Sequence, residues 1–238
     1  MDLSKLYDNR FADIRIERNE IWRILCQQFF QKFVPRDASV LDVGSGDCEF
    51  INNIRCARKY AVDLNARITE FAGADVTVIL AQATRLQQLQ NDTVDVVFMS
   101  NLLEHMASKD EALESLKEAL RVLRPGGKIL ILQPNVRFAY AEYWDFWDHH
   151  IPISDRSLCE ALVLAGFKVE TVLPRFLPYT TKSRIPKAPF LVKLYLHLPF
   201  LWRLFGKQTF VLARKVAQPT CALGNTWEEV DGSTIIPD

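Results

Sequence analysis

The chain has 238 residues, 49% hydrophobic and 24% charged, with 29 basic and 29 acidic side chains that balance to zero net charge. These values fit one globular α/β enzyme domain with insertions, and zero net charge leaves no global field to attract nucleic acid. The five cysteines form no C-x-x-C pair and read as free thiols of a reducing cytoplasm; no apolar run reaches the ~18 residues of a membrane span, and the charged N-terminus lacks a signal-peptide core.

Residues 1–17 are polar with scattered aromatics, Tyr7 and Phe11 among them. Ile21, Trp22, Leu25, Phe29 and Phe33 recur near helical spacing and predict a helix over 18–33, which Pro35 ends. Val40, Leu41 and Val43 are the apolar run of a strand covered on both faces. Gly44-Ser45-Gly46 then turns the chain into a helix over 47–56. Strands follow at 59–62, 76–80 and 94–99, with a short helix at 65–71. Ser108 and Glu111 have the spacing of a capping box for a helix that presents Leu113, Leu116 and Leu120 on one face and stops at Arg124-Pro125-Gly126-Gly127. A fifth strand at 128–132, a helix over 154–165 capped by Gly166, and strands at 168–172 and 208–213 complete the pattern.

The ligand of the glycine turn follows from its charges. A dinucleotide fingerprint would read G-x-G-x-x-G, with a bare helix N-terminus for pyrophosphate. Here Glu49 stands at the third glycine position, and Asp42, Asp47 and Glu49 surround the turn. Three carboxylates would repel pyrophosphate and suit a ligand with cationic groups, such as the sulfonium and ammonium of S-adenosylmethionine. Asp63, 19 residues beyond Gly44, stands where a carboxylate binds ribose hydroxyls.

The segments VLDVGSGDCEF, AVDLN, VDVVFMSNLLEHM and VLRPGGKILIL, in that order, resemble the successive motifs of the class I S-adenosylmethionine-dependent methyltransferases over about residues 36–173. The resemblance implies a Rossmann-like three-layer α/β sandwich. Its seven-stranded, mostly parallel sheet has an antiparallel last strand. It implies S-adenosylmethionine as cofactor, held by Asp42, Gly44, Ser45, Gly46, Glu49, Asp63, Leu64, Ala83, Thr84, Asn101, Leu102 and His105. Gln82 stands at or beside the family's acidic adenine contact. Cys48 replaces a frequent glycine and brings a Cβ near the cofactor; on its own chemistry it reads as a packing residue. Glu104 is expected to point away and bond a neighbouring backbone.

Three regions result: a helical lid or cap at 1–35, a methyltransferase domain at 36–215 with insertions at 135–152 and 174–207, and a loosely ordered tail at 216–238. The first insertion carries Phe138, Tyr140, Tyr143, Trp144, Phe146 and Trp147, expected to line an acceptor pocket. It also carries His149 and His150, proposed as general base for an alcohol nucleophile, with Asp145 or Asp148 orienting it. The second insertion holds no Asp or Glu between Thr171 and Arg214 but eight basic residues. Its apolar stretch at 190–205 contains Lys193, Trp202 and Arg203, and fits a headgroup-layer contact, a packed cap or a homodimer surface. His197 reads as structural, and no set of residues has metal-ligand spacing.

The expected activity is O-methylation of a small molecule or glycan, lipid- or nucleotide-linked, in polysaccharide biosynthesis. It would occur in the cytoplasm, at the inner face of a membrane if 190–205 binds one. The alternatives are N-methylation and a catalytically silent subunit that binds the cofactor and pairs with a partner through 190–205. Nucleic-acid methylation is disfavoured by the zero charge and by Ser100-Asn101-Leu102-Leu103 where an N-P-P-type tetrad would stand.

Overall fold

A computed structural model describes residues 15–179 and 189–216. Tyr7, Phe11 and the tail from 217 onward lie outside the described residues. The strands are β1 (Ser39–Val43), β2 (Arg58–Asp63), β3 (Val76–Leu80), β4 (Val94–Ser100), β5 (Leu123–Pro134), β6 (Phe167–Leu173) and β7 (Gln208–Lys215). They form one sheet in the order β3-β2-β1-β4-β5-β7-β6. All neighbours are parallel except β7, which runs antiparallel to both β5 and β6. This is the sheet the sequence resemblance implies.

Side chains that alternate along each strand supply two cores. Leu41 and Val43 of β1, with Val97 and Met99 of β4, face one layer of helices. That layer is α4 (Lys109–Val122) and α6 (Asp155–Ala165). Val40, Val96 and Phe98 face the other, with α1 (Arg15–Gln28), α2 (Glu49–Asn53) and the last two helices, α7 (Pro189–Leu196) and α8 (Pro199–Phe205). That second core is aromatic: Phe50 stacks on Phe98 with ring centroids 3.6 Å apart, and Phe29 lies 4.2 Å from Phe176.

Local signals explain most element ends. Ser108 Oγ accepts from the Glu111 N–H (3.1 Å), while Glu111 reaches back to the Ala107 N–H (2.7 Å) rather than to that of Ser108. Ser154 and Ser157 form a reciprocal capping box on α6, and Gly166 ends that helix at φ +102°. Several elements differ from expectation in their bounds; β5 in particular starts at Leu123 and runs through Arg124-Pro125-Gly126-Gly127. The first described helix, Arg15–Gln28, stops short of Phe33, leaving Phe30–Lys32 as a 3-10 turn. The helix after the glycine turn is only Glu49–Asn53, because Cys48 in the left-handed region delays its start. The insertion after β5 is not a loop but begins with α5 (Val136–Tyr143), kinked at Ala139, and a short helix α3 lies at Ile68–Phe71.

Candidate active site

β1 and β4 adjoin at the point where the strand order reverses, and the crevice beyond their C-terminal ends is where an open α/β sheet takes its ligand. A cavity of about 860 Å³ lies there. Every residue expected to hold the cofactor lines it, from Asp42 to His105.

The turn after β1 is fixed by the backbone. The N–H groups of Gly44 and Ser45 both donate to the Val62 carbonyl, at 2.8 and 3.1 Å, and Ser45 Oγ donates to the Asp42 carbonyl at 2.7 Å. Gly44 has φ +71°, and a Cβ there would lie 2.7 Å from Leu102 Cδ1, so both conformation and space require glycine. Asp63 Oδ2 accepts from the Gly46 N–H and Oδ1 from the Asn65 N–H, each at 2.9 Å. That aims the carboxylate across the turn with lone pairs left for further donors.

Asp42 is fully buried, and burial, then Glu49 and Asp63, push its carboxyl well above the usual range. Glu49 is pushed up by burial too, against the pull of Arg18, which pairs with it at 2.9 Å. Arg15 pairs with Asp47 at 3.1 Å. So α1 brings two guanidinium groups over the acidic turn, an arrangement no sequence motif announced. Asn101, at φ +48°, holds a buried Oδ1 with no hydrogen-bond partner among the described residues, in the cavity wall. A buried acceptor beside an acidic turn fits a ligand bearing an ammonium group.

Cys48 does not line the cavity. It is buried in the aromatic core at φ +60°, with its thiol pushed up to about 12 by burial, so its Cβ does not crowd the cofactor. Its left-handed backbone is the reason glycine suits this position.

The second half of the cavity is built by the insertions. Of the six aromatics expected there, only Phe146 lines it. Tyr143 is fully buried; its hydroxyl donates to the Ile151 carbonyl (2.7 Å) and accepts from the Ile153 N–H (3.2 Å), bracing the loop. Tyr140, Trp144 and Trp147 point to solvent, and Phe138 lies between the guanidinium groups of Arg137 and Arg175. Helix geometry, which sequence spacing did not foresee, turned these rings outward.

His149 and His150 both line the cavity, His149 buried and His150 exposed. Asp145 is exposed and outside the lining; Asp148, buried, is the carboxylate that reaches it. His105 Nδ1 stands 2.8 Å from the Asp148 carbonyl and 3.4 Å from its Oδ2. A carbonyl only accepts, so Nδ1 carries the proton and Nε2 is the basic nitrogen of the neutral ring. Glu104 does not point away: its carboxyl is buried in the cavity wall, and neither oxygen has a hydrogen-bond partner among the described residues. Leu191, Leu194, Leu201 and Phe205 close this end. Trp202, for which the sequence leaves open a headgroup-layer contact, a packed cap and a homodimer surface, is buried, with Nε1 donating to the Tyr195 carbonyl at 2.9 Å. His197 is exposed and caps the Lys193 carbonyl at 2.8 Å.

A sheet-edge cavity with an acidic glycine turn and a carboxylate at the end of the next strand defines an α/β enzyme for a cationic nucleoside cofactor. Residues 41–131 match the family described as Methyltransferase domain. No curated protein matches the chain by sequence. Among solved structures it is similar to that of a complex between the Haloferax volcanii Trm112 methyltransferase activator and a methyltransferase, with 14% identity, TM-score 0.65, and 87% of this chain and 95% of that one covered. It is also similar to an S-adenosylmethionine-dependent methyltransferase from Archaeoglobus fulgidus (19% identity, TM-score 0.62, 86% and 99% covered). A third is the [4+2]-cyclase SpnF (17% identity, TM-score 0.59, 83% and 82% covered). At such identities these structures speak for the fold. Residues 41–131 are thus a methyltransferase domain set in a fold shared with S-adenosylmethionine-dependent methyltransferases, and the cofactor is S-adenosylmethionine. No described helix is long and apolar enough to cross a membrane.

Proposed function

We propose that the chain methylates an oxygen of an amphiphilic, anionic acceptor: a small molecule or glycan that is lipid- or nucleotide-linked. The observation that carries this reading is that one cavity continues from the acidic turn, past three histidines, to the inner sides of α7 and α8. When bound, S-adenosylmethionine supplies an electrophilic methyl group. The chain's residues bind and align. Asp63 would hold ribose hydroxyls, Glu49 and the Asn101 amide oxygen the ammonium group, and Ala83 and Thr84 the adenine. Gly44 and Ser45 would allow close approach of the ligand, Asp42 would add negative charge beneath it, and Leu64 and Leu102 would pack on it. α1 would act as a cap, through the two arginines that it sets over the turn. The histidine end takes the acceptor and its proton, and alignment of the two reactants supplies much of the rate.

The chemistry of the acceptor is argued from the second insertion. Phe190, Leu194, Phe200 and Leu204 are exposed on α7 and α8 beside the cations Lys193 and Arg203. Such a face suits the headgroup layer of an anionic bilayer, from which a lipid-linked acceptor would enter the cavity at Leu191 and Phe205. A homodimer through the same face is the competing use, and concentration-dependent mass in solution would reveal it. The test of the main reading is label transfer from methyl-labelled cofactor to lipid-linked and nucleotide-linked sugars, with the product linkage read by NMR. O-methyl products are expected, and His150→Ala should lower kcat by roughly 10²–10⁴ with cofactor affinity unchanged. Methyl transfer confined to amines would overturn the proposed linkage, and no transfer to any acceptor would favour a silent cofactor-binding subunit.

A further inference from the structure

We propose that Glu104, His105 and His149 form a binding site for one divalent transition-metal ion in the wall of the cavity. Each offers one ligand atom, and these atoms all lie within 4.8 Å of one another. Two imidazoles and one carboxylate form the donor set that zinc takes in catalytic sites and that non-haem iron(II) takes in its facial triads. Adjacent positions 104 and 105 on one segment, and 149 on another, do not form a sequence motif. Only the fold brings them together.

Three further observations point to a cation there. The first is Glu104. A carboxyl sealed from water, with neither oxygen hydrogen-bonded among the described residues, must either keep its proton or face a cation, and a bound metal ion would supply the cation. The second is His105. Its Nδ1 proton goes to Asp148, whose carbonyl lies at 2.8 Å and whose Oδ2 lies at 3.4 Å. That is the outer contact which orients a ligating imidazole and raises its basicity, and it leaves Nε2 to bind. The third is rigidity. The backbone N–H groups of His150 and Ile151 donate to the Glu104 carbonyl at 2.8 and 3.4 Å, stitching the two ligand-bearing segments together. The His149 ring stacks on Phe146, with centroids 5.0 Å apart, and meets Tyr143, at 4.8 Å, and His105, at 5.0 Å, in steep edge contacts.

Three protein ligands leave further positions open. All three ligands line the cavity that also holds the acidic turn, so an acceptor oxygen could complete the coordination. The site deepens the O-methylation reading, since a metal-bound hydroxyl ionises far more readily than a free one. Its test does not depend on that reading.

The full chain, stripped with chelator and returned to metal-free buffer, is titrated with Zn²⁺ by calorimetry and with Co²⁺ by absorbance. One ion per chain is expected, with the visible bands of nitrogen- and oxygen-ligated cobalt and a rise in melting temperature on adding Zn²⁺. Glu104→Gln and His149→Gln should each weaken Zn²⁺ binding by ~100-fold or more, and Asp148→Asn by about 10–100-fold. S-adenosylhomocysteine binding serves as the fold control for each variant. If Glu104→Gln does not fold, His149→Gln and Asp148→Asn carry the comparison. Wild-type protein that binds no Zn²⁺ or Co²⁺, or binds it as well after these substitutions, overturns the site. Methyl transfer that survives chelator, alongside absent metal binding, removes the metal and leaves the O-methylation reading standing. A bound ion with no methyl transfer to oxygen does the reverse.

Discussion

The two ends of the cavity are built by different means. The cofactor end is made of strand ends and the turns that follow them: Asp42 near the end of β1 and Gly44 just after it, Asp63 at the end of β2, Asn101 just after β4. Backbone hydrogen bonds across parallel strands set their positions. The acceptor end is made of two excursions from the sheet, held by side chains such as the Tyr143 hydroxyl and the Asp148–His105 contact. One end is rigid and common to a fold; the other is particular to this chain. Substitutions at the two ends should therefore fail differently. The largest effect belongs to the cofactor end. Asp63→Ala removes a charged acceptor and also the partner of the Gly46 N–H, and should weaken S-adenosylhomocysteine binding by roughly 10²–10³ in calorimetry, at about 1.5–3 kcal/mol per hydrogen bond to a charged group. Undiminished affinity would break the assignment of the turn.

The acceptor end should respond without any change in cofactor affinity. Phe200→Glu with Leu204→Glu puts charge on the exposed face of α8 and should reduce sedimentation with anionic vesicles by about tenfold or more, since each apolar side chain contributes roughly 1.5–3 kcal/mol when fully buried. Vesicle binding equal to that of wild type would assign this face to another partner. Tyr143→Phe is a smaller perturbation. It strands the Ile151 carbonyl and the Ile153 N–H in the interior, a cost of about 1–3 kcal/mol. Thermal unfolding should shift down accordingly, and KM for the acceptor should rise while the S-adenosylhomocysteine Kd holds. A rise in that Kd instead would show that the two ends are mechanically one.

The same contrast decides what could be read from the sequence. The cofactor end was legible because each of its residues sits at a fixed offset from an apolar strand run: Gly44 one residue past Val43, Asp63 one past Val62. Strand and ligand position are then one signal. The acceptor end was legible only as composition. Phe138, Tyr140, Trp144 and Trp147 announce an aromatic segment, but whether a ring faces a cavity or solvent depends on a helix phase and a kink at Ala139 that no local pattern encodes. The histidines were nameable, and Asp145 and Asp148 stood as alternative partners for His149 or His150; the contact found is between Asp148 and His105 instead, because α5 ends at Tyr143 and turns the chain there. Glu104 was misplaced for a related reason. Its burial follows from the loop that folds over it, through Glu104 carbonyl bonds to His150 and Ile151, forty-odd residues later in the chain.

Asp42 gives the finest test of the cofactor end, because its carboxyl lies inside the core and beneath the turn. Burial raises its folded-state pKa above the unfolded value of about 4. The sign follows by linkage. A raised group leaves stability intact below the unfolded pKa and withdraws it as pH rises toward the folded pKa. Asn cannot ionise, so Asp42→Asn should match the wild type below about pH 4 and become progressively the more stable of the two as pH rises toward the folded-state pKa, with cofactor omitted. Cofactor should work the other way, since its cationic groups favour an ionised Asp42. Saturating S-adenosylhomocysteine, which keeps the ammonium group, should therefore narrow the gap between the two melting curves at high pH. A stability difference independent of pH would mean that Asp42 keeps an ordinary pKa and stands ionised beneath the turn at neutral pH with or without cofactor. Asp47 and Glu49 are already paired with the arginines of α1, so Asp42 and Asp63 would then be the two carboxylates of the turn without a guanidinium partner among the described residues.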